Sequence, residues 1–250
     1  MARYQVILAY DGTAFAGFQR QANARSVQGE VEAALRHLGW QGKTILCAGR
    51  TDSGVHASGQ VVAFDLTWEH PLPALVKALN AALPKDIAAQ AVHEVEDDFH
   101  PRYSARARRY IYQLYCAEER QPMLERLAWR VWPAVDASRL HEAAASLPGD
   151  HDFAAFGAPL RPGGTTVRSV MRASWEEVSL LPGARGLRFE IVANAFLYHM
   201  VRRLVFVQVL VGQGRISMQD WVRGLQDRQP QTPGLAPAHG LALAEVLYDG

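Results

Sequence analysis

Only two cysteines, Cys47 and Cys116, occur in the 250 residues. That is too few for a disulfide framework, and neither sits in the clustered Cys/His spacing of a structural zinc site, so both are expected to be core thiols. Lysine is nearly as scarce: of 26 cationic side chains only Lys43, Lys77 and Lys85 are lysines, and the rest are arginines. Arginine's planar fork suits phosphate contacts and stacking on bases, although a GC-rich genome explains the bulk ratio without any function. A surplus of charge of one sign is missing as well, with 26 basic and 25 acidic side chains. With a net charge of +1 the molecule as a whole announces no polyanionic partner, and the distribution must be read locally.

Long apolar runs are absent. The most apolar stretch, Phe196 to Val211, is interrupted by His199, Arg202, Arg203 and Gln208, which excludes a membrane span there. Met1 to Gln5 leads into a strand-like run without the longer apolar region and cleavage site of a signal peptide, so a cytoplasmic protein is expected. No segment is repetitive or Pro/Ser-rich. At 49% apolar and 20% charged residues the whole chain is expected to fold, as one large domain or two of ordinary size.

Periodicity predicts a strand over 4–10, a helix from Ser26 with Val27, Val31, Ala34, Leu35 and Leu38 on one face, and strands over 44–48 and 60–66. A helix carrying Leu72, Leu75, Val76, Leu79 and Leu83 and a strand over 87–95 complete the first part. This is the order of the split β-α-β, ferredoxin-like unit. A similar order follows: a strand from about 106, a helix near 136–147, strands near 166–180 and 186–194, a helix from about 196, a short helix near 217–226 and a last strand over 241–248. The expectation is an α+β protein of two similar ferredoxin-like halves, 1–104 and 105–250, with mainly antiparallel sheets and an active-site cleft.

Three segments can carry chemistry. The first, Gly49 to Gly59, packs Arg50, Thr51, Asp52, Ser53 and His56 among three glycines between two apolar strands. Two readings fit: a connection in which Asp52 closes an Asx-turn and Arg50 is solvated, or a site in which a carboxylate beside a cation serves as nucleophile or base. His56 has no second His or carboxylate at metal-ligand spacing and reads as structural. The second segment, Phe99 to Tyr112, interleaves Arg102, Arg106, Arg108 and Arg109 with aromatics. Arginines holding phosphates beside aromatic faces is how unpaired RNA is read, and a basic strand edge with half-buried tyrosines is the other reading. Alternation along that strand sets Tyr110, Tyr112, Leu114 and Cys116 on one face and Arg109, Ile111, Gln113 and Tyr115 on the other. In the third segment, the helix from 196, Arg202 either lies at the surface or meets a carboxylate across the cleft.

Together these segments resemble the TruA family of tRNA pseudouridine synthases. The resemblance is carried by Tyr10-Asp11-Gly12-Thr13 with Gly17-Phe18-Gln19-Arg20-Gln21, Ser26-Val27-Gln28-Gly29-Glu30, Gly49 to Gln60, Phe99 to Tyr112, Ala195 to Arg202, and Ala236-Pro237-Ala238-His239-Gly240-Leu241. It runs from end to end, and the Gly-Arg-Thr-Asp-x-Gly-Val-His block is its most specific part. It implies conversion of uridine to pseudouridine in the anticodon arm of tRNA, at positions 38, 39 and 40, by a homodimer without cofactor or metal. It also implies that Asp52 is the catalytic aspartate, that Tyr110 contacts the target base, and that Arg50 and Arg202 lie around the carboxylate; Arg106 and Arg108 are expected to hold the RNA. Covalent addition of Asp52 and removal of a sugar proton both fit. Departures from the family pattern fall at Phe18, usually Trp, at Arg203 and Phe206, usually Asn and Gly, at Leu235 in 231–235, usually Thr, and in the loop 156–167, which lacks a frequent Cys. The competing functions are a non-catalytic RNA-binding module, which needs no Asp in a glycine-rich loop, and a hydrolase pairing Asp52 with His56.

Overall fold

The computed structural model describes residues 1–159, 161, 163–226 and 232–249. They form two compact units, one of residues 1–106 with 242–249 and one of residues 107–241. Each combines a mostly antiparallel sheet with helices.

In the first unit the order is β1 (Ala2–Tyr10), α1 (Val27–His37), β2 (Leu46–Cys47), β3 (His56–Leu66), α2 (Leu72–Ala82) and β4 (Ile87–Val95). The strands lie in the order β4-β1-β3-β2, each neighbour antiparallel. Along β1 the buried residues are Tyr4, Val6, Leu8 and Tyr10, the period of two that one covered face dictates. β3 lies inside the sheet and is buried almost throughout. Helix α1 starts where the sequence indicates: the Ser26 hydroxyl accepts from the Gly29 N–H, and Glu30 sits in the positive first turn. Helix α2 buries Leu75 and Leu79. Its Asn80 takes both main-chain bonds of Ala89, at 2.8 and 2.7 Å, on β4, the strand at the end of the sheet order.

The second unit contains β5 (Ala105–Cys116), β6 (Trp129–Val131), α3 (Ala137–Ala145), β7 (Gly149–Asp152), β8 (Val167–Leu181), β9 (Ala184–Ala193), α4 (Met200–Gly212) and α5 (Met218–Gln226). The strand order is β5-β9-β8-β7, with β6 parallel to β5. Helix α3 packs on both β8 and α4. Trp175 of β8 donates from Nε1 to the buried Gln208 Oε1 at 2.9 Å, and Gln208 returns Nε2 to the Leu204 carbonyl, so a polar side chain inside α4 is satisfied on both ends. The last strand, β10 (Leu241–Tyr248), returns to the first unit beside β3, parallel to it at Ala242–His56 and Leu243–Ala57. Among the described residues no helix is long and apolar enough to cross a membrane.

Four expectations are corrected. β3 begins at His56 rather than Gln60, because His56 and Ala57 gain ladder partners in β10 and β1 that a local reading does not reveal. The strand expected over 44–48 shrinks to two residues. The helix expected from about 196 begins at Met200, since His199 stands in the left-handed region (φ 65°, ψ 1°) and cannot continue a right-handed helix backwards. Alternation along β5 holds through Leu114 and then fails: Tyr115 is buried against Leu124 and Ala128, its hydroxyl bound to Glu125, and Cys116 is exposed instead of being a core thiol. The other thiol, Cys47, is half-buried, and burial raises the pKa of both.

The most demanding group in the first unit is Glu32, whose carboxylate is wholly buried on α1. It accepts from Gln28 Nε2 at 2.8 Å, from the Ile45 N–H at 3.2 Å and from Arg20. Removing it leaves the buried Gln28 amide and Ile45 N–H without this acceptor, so Glu32→Ala is expected to lose about 2–4 kcal/mol in chemical denaturation; a loss below about 1 kcal/mol contradicts this.

Candidate active site

The Asp52 loop is the eight-residue link Ala48–Val55 between β2 and β3. Its tip is a turn in which the Val55 N–H reaches the Asp52 carbonyl at 3.2 Å, with Gly54 at φ 77° in the third position. A second loop holds it at Thr51, Ser53 and Gly54. The Phe18 N–H donates to the Thr51 carbonyl at 3.0 Å, and the Phe15 carbonyl accepts from the Gly54 N–H at 3.3 Å and the Ser53 hydroxyl at 3.2 Å. The Gly17 and Phe18 carbonyls also accept from the Val27 and Gln28 amides that open α1. Two glycines permit this approach. A Cβ on Gly12 would lie 2.0 Å from the Val55 oxygen, and one on Gly17, itself at φ +99°, 2.9 Å from the Thr51 oxygen.

Beneath the loop lies a buried polar chain. Tyr10 Oη and Thr51 Oγ1 are 2.8 Å apart, and Gln60 Nε2 reaches both Tyr10 Oη, at 3.4 Å, and the Gly49 carbonyl, at 2.8 Å. Because the Gln60 amide nitrogen donates to the Tyr10 oxygen, the tyrosine proton is directed to Thr51. Burial pushes the Tyr10 phenol up to about 12, so it stays protonated at neutral pH. The chain therefore fixes the backbone on both sides of Arg50, at Gly49 and Thr51. His56, also buried, accepts the Gly12 N–H on Nδ1 at 3.0 Å, 3.3 Å from Asp11. With Nδ1 accepting, the ring proton is assigned to Nε2, and His56 holds the turn after β1. Asp52 is half-buried, and Arg50 is exposed on the same loop.

The remaining sequence-predicted residues lie on other elements. Arg106, the last residue of the 1–106 segment, faces Asp249 at 3.7 Å with both side chains largely in water, a pair that contributes little. Arg108, Tyr110 and Arg202 belong to the second unit. Arg108 donates Nη1 to the Asn194 carbonyl at 3.0 Å. The half-buried Tyr110 meets Phe196 edge-on, ring centroids 5.0 Å apart. Half-buried Arg202 gives Nε to the Ala236 carbonyl at 2.8 Å, and its own carbonyl accepts the Ala236 N–H at 3.3 Å. The next carbonyl, of Pro237, accepts the Tyr112 hydroxyl at 2.8 Å. The structure thus brings Asp52 and Arg50 together on one loop, and Tyr110 with Phe196 and Arg202 with Ala236 in the second unit. Among the described residues no three of His, Cys, Asp and Glu gather in a metal-holding group.

Two departures from the family pattern have a packing explanation. Phe18 is buried with its ring tilted against Tyr10, 6.4 Å between centroids. Phe206 stacks on Trp129 and lies over Gly234, where a Cβ would approach its ring to 2.0 Å; a large side chain on the helix is matched by none on the facing segment. Gln231 and Pro162, in the other variant stretches, lie outside the described residues. The sequence reading missed Tyr10, Thr51 and Gln60 as supports of the site. A glutamine opening a run as apolar as 60–66 was the available signal, since a buried amide must be satisfied.

Gly17→Ala is expected to lose roughly 1–3 kcal/mol through strain and Tyr10→Phe about 1 kcal/mol through the lost hydroxyl bond, both measured by chemical denaturation. A Gly17→Ala protein as stable as the parent contradicts the close approach of the two loops.

The family model for tRNA pseudouridine synthase matches residues 6–104 and 143–249. A Chloroflexus aurantiacus protein named tRNA pseudouridine synthase A is 41% identical over 251 residues, covering 99% of this chain and 89% of that protein. Proteins of the same name from Lacticaseibacillus casei, 41% identical over 253 residues with 99% and 100% coverage, and from a Geobacter species, 38% over 251 residues with 99% of both, match from end to end as well. The chain belongs to the tRNA pseudouridine synthase family.

Proposed function

We propose that this chain isomerises uridine to pseudouridine in the anticodon arm of tRNA, at positions 38, 39 and 40, with Asp52 as the nucleophile or base. The observation that supports Asp52 most is its setting: a half-buried carboxylate on a loop bound through Thr51, Ser53 and Gly54 to a second loop. Such a group is held in place before any substrate arrives, which is what a reacting carboxylate requires.

The reaction breaks the N1–C1′ bond, turns the uracil and forms a C5–C1′ bond. C5 loses a proton and N1 gains one, so the change is redox-neutral and needs no electron carrier. A carboxylate serves either by adding covalently or by removing a sugar proton. In this reading Tyr110 contacts the target base, Arg50 fills the space that the base leaves on extrusion, Arg202 completes the charge around the reacting carboxylate, and Arg106 and Arg108 hold phosphates. The strand order β4-β1-β3-β2 around α1 and α2 supports a ferredoxin-like first half, with 1–104 carrying the catalytic loop. The sequence β5-α3-β8-β9-α4 is the support for the similar second half proposed over 105–250, which supplies Tyr110 and Arg202, although its last strand, β10, lies beside β3 in the first unit. The enzyme works in the cytoplasm as a homodimer.

Pseudouridine mapping of unmodified tRNA incubated with the purified protein is expected to show modification in the anticodon arm that is absent with Asp52→Asn. Tight tRNA binding without modification by the parent protein points to the RNA-binding module instead. Replacing Arg106 or Arg108 by Ala is expected to weaken tRNA binding and flatten the log–log salt slope by roughly one unit each; an unchanged slope removes those two side chains from the phosphate contacts.

A further inference from the structure

We propose that the stacked rings of Tyr198 and His199 form a base-stacking platform for an unpaired nucleotide of the tRNA other than the target uridine; this rests on the reading of the chain as a tRNA-modifying enzyme. Among the described residues His199 alone, apart from glycines, has a positive φ, 65°. A side chain is disfavoured in that conformation and glycine is not. The position nevertheless carries a histidine at the N-cap of α4, where its side chain makes no capping bond. Its ring instead lies against Tyr198, centroids 3.7 Å apart and planes 25° from parallel. The unfavourable backbone conformation therefore accompanies a ring placed under the tyrosine. Outliers of this kind concentrate where the geometry serves a function.

Tyr198 is held firmly in its backbone and left open at its side chain. Its N–H donates to the Ala158 carbonyl at 3.0 Å in an isolated bridge. Gly157 lies so close behind that a Cβ there would meet the Tyr198 oxygen at 2.7 Å. Half of the tyrosine surface is still in water, at 50% exposure. One face rests on His199, and the exposed half of the residue is where a flat partner would meet it. The surroundings select the kind of partner. Arg202 and Arg203 occupy the first turn of α4, which contains no acidic residue. Two residues before Tyr198, Phe196 already lies against Tyr110. An aromatic ring just before a helix whose first turn carries two arginines suits a nucleobase with its phosphate, because every base offers a π-face and sequence is not read in the stack.

The test uses the full-length protein with Tyr198→Ala, Tyr198→Phe and His199→Gly, melting curves confirming the fold. Each is titrated with unmodified tRNA carrying 2-aminopurine at single positions flanking the target. The parent protein and Tyr198→Phe are expected to quench one of these positions. Tyr198→Ala and His199→Gly are expected to lose that quench and to bind about fivefold or more weakly, with kcat at saturating tRNA within about twofold of the parent. Tyr198→Ala binding and quenching like the parent overturns the platform. The two readings fail separately: a parent protein that makes no pseudouridine refutes the activity, whereas the quench pattern reports on the platform with or without turnover.

Discussion

The segment from Phe15 to Phe18 is the constraint on which the first unit is arranged. Its carbonyls accept the amides that open α1, and its amide and carbonyl groups bind the Asp52 loop at Thr51, Ser53 and Gly54. Buried main-chain groups of an irregular segment must find partners, and here the two loops and a helix start satisfy one another. The arrangement tolerates almost no side-chain volume, which is why Gly12 and Gly17 stand where they do. Glu32 works to the same end from the helix. By gathering Gln28, Arg20 and the Ile45 amide it ties α1 to the loop on one side and to the approach of β2 on the other.

A buried polar chain is an expensive way to hold a loop, since each unpaired group in it costs more than the bond contributes. Tyr10, Thr51 and Gln60 are satisfied in series, and the Gln60 carbonyl is closed off by the Val61 amide. An apolar filling of the same space would leave the Gly49 carbonyl and the Thr51 hydroxyl without these partners. The chain thus gains definition at Gly49 and Thr51, the residues that bracket Arg50 and precede Asp52. The second unit uses a comparable device: α4 and β5 fix the stretch around Ala236 and Pro237, the helix through Arg202 and the strand through the Tyr112 hydroxyl. Burial keeps that phenol protonated, partly offset by Arg202.

Much of this was legible in the sequence, for reasons that particular residues make plain. Ser26 with Glu30 marks the start of α1, and the Leu75–Leu79 spacing marks α2, because capping and helical period are local properties. The strands over 87–95 and 241–248 were bounded by turn residues and fell where expected. The misplacements had non-local causes. His56 and Ala57 joined β3 through partners on β1 and β10. The 121–128 stretch folded over Tyr115, and the left-handed turn at His199 delayed α4, although nothing in the local pattern of an apolar helix forbids an earlier start. At the site, Asp52 and Arg50 stood out by their glycine-rich company. The supports did not, since Tyr10 and Gln60 read as members of ordinary strands until their partners are known.

The central claim is that the Asp52 loop is held rigidly by the Phe15–Phe18 segment and the chain beneath it, without help from a substrate. Native-state hydrogen exchange of the free protein tests it most directly, read at the Gly12, Phe18, Gly54 and Val55 amides, each bonded in the structure. The account predicts protection close to that of the β1 and β3 core amides, with all four opening together. Exchange at the rate of a solvent-exposed loop, while β1 and β3 remain protected, would contradict it.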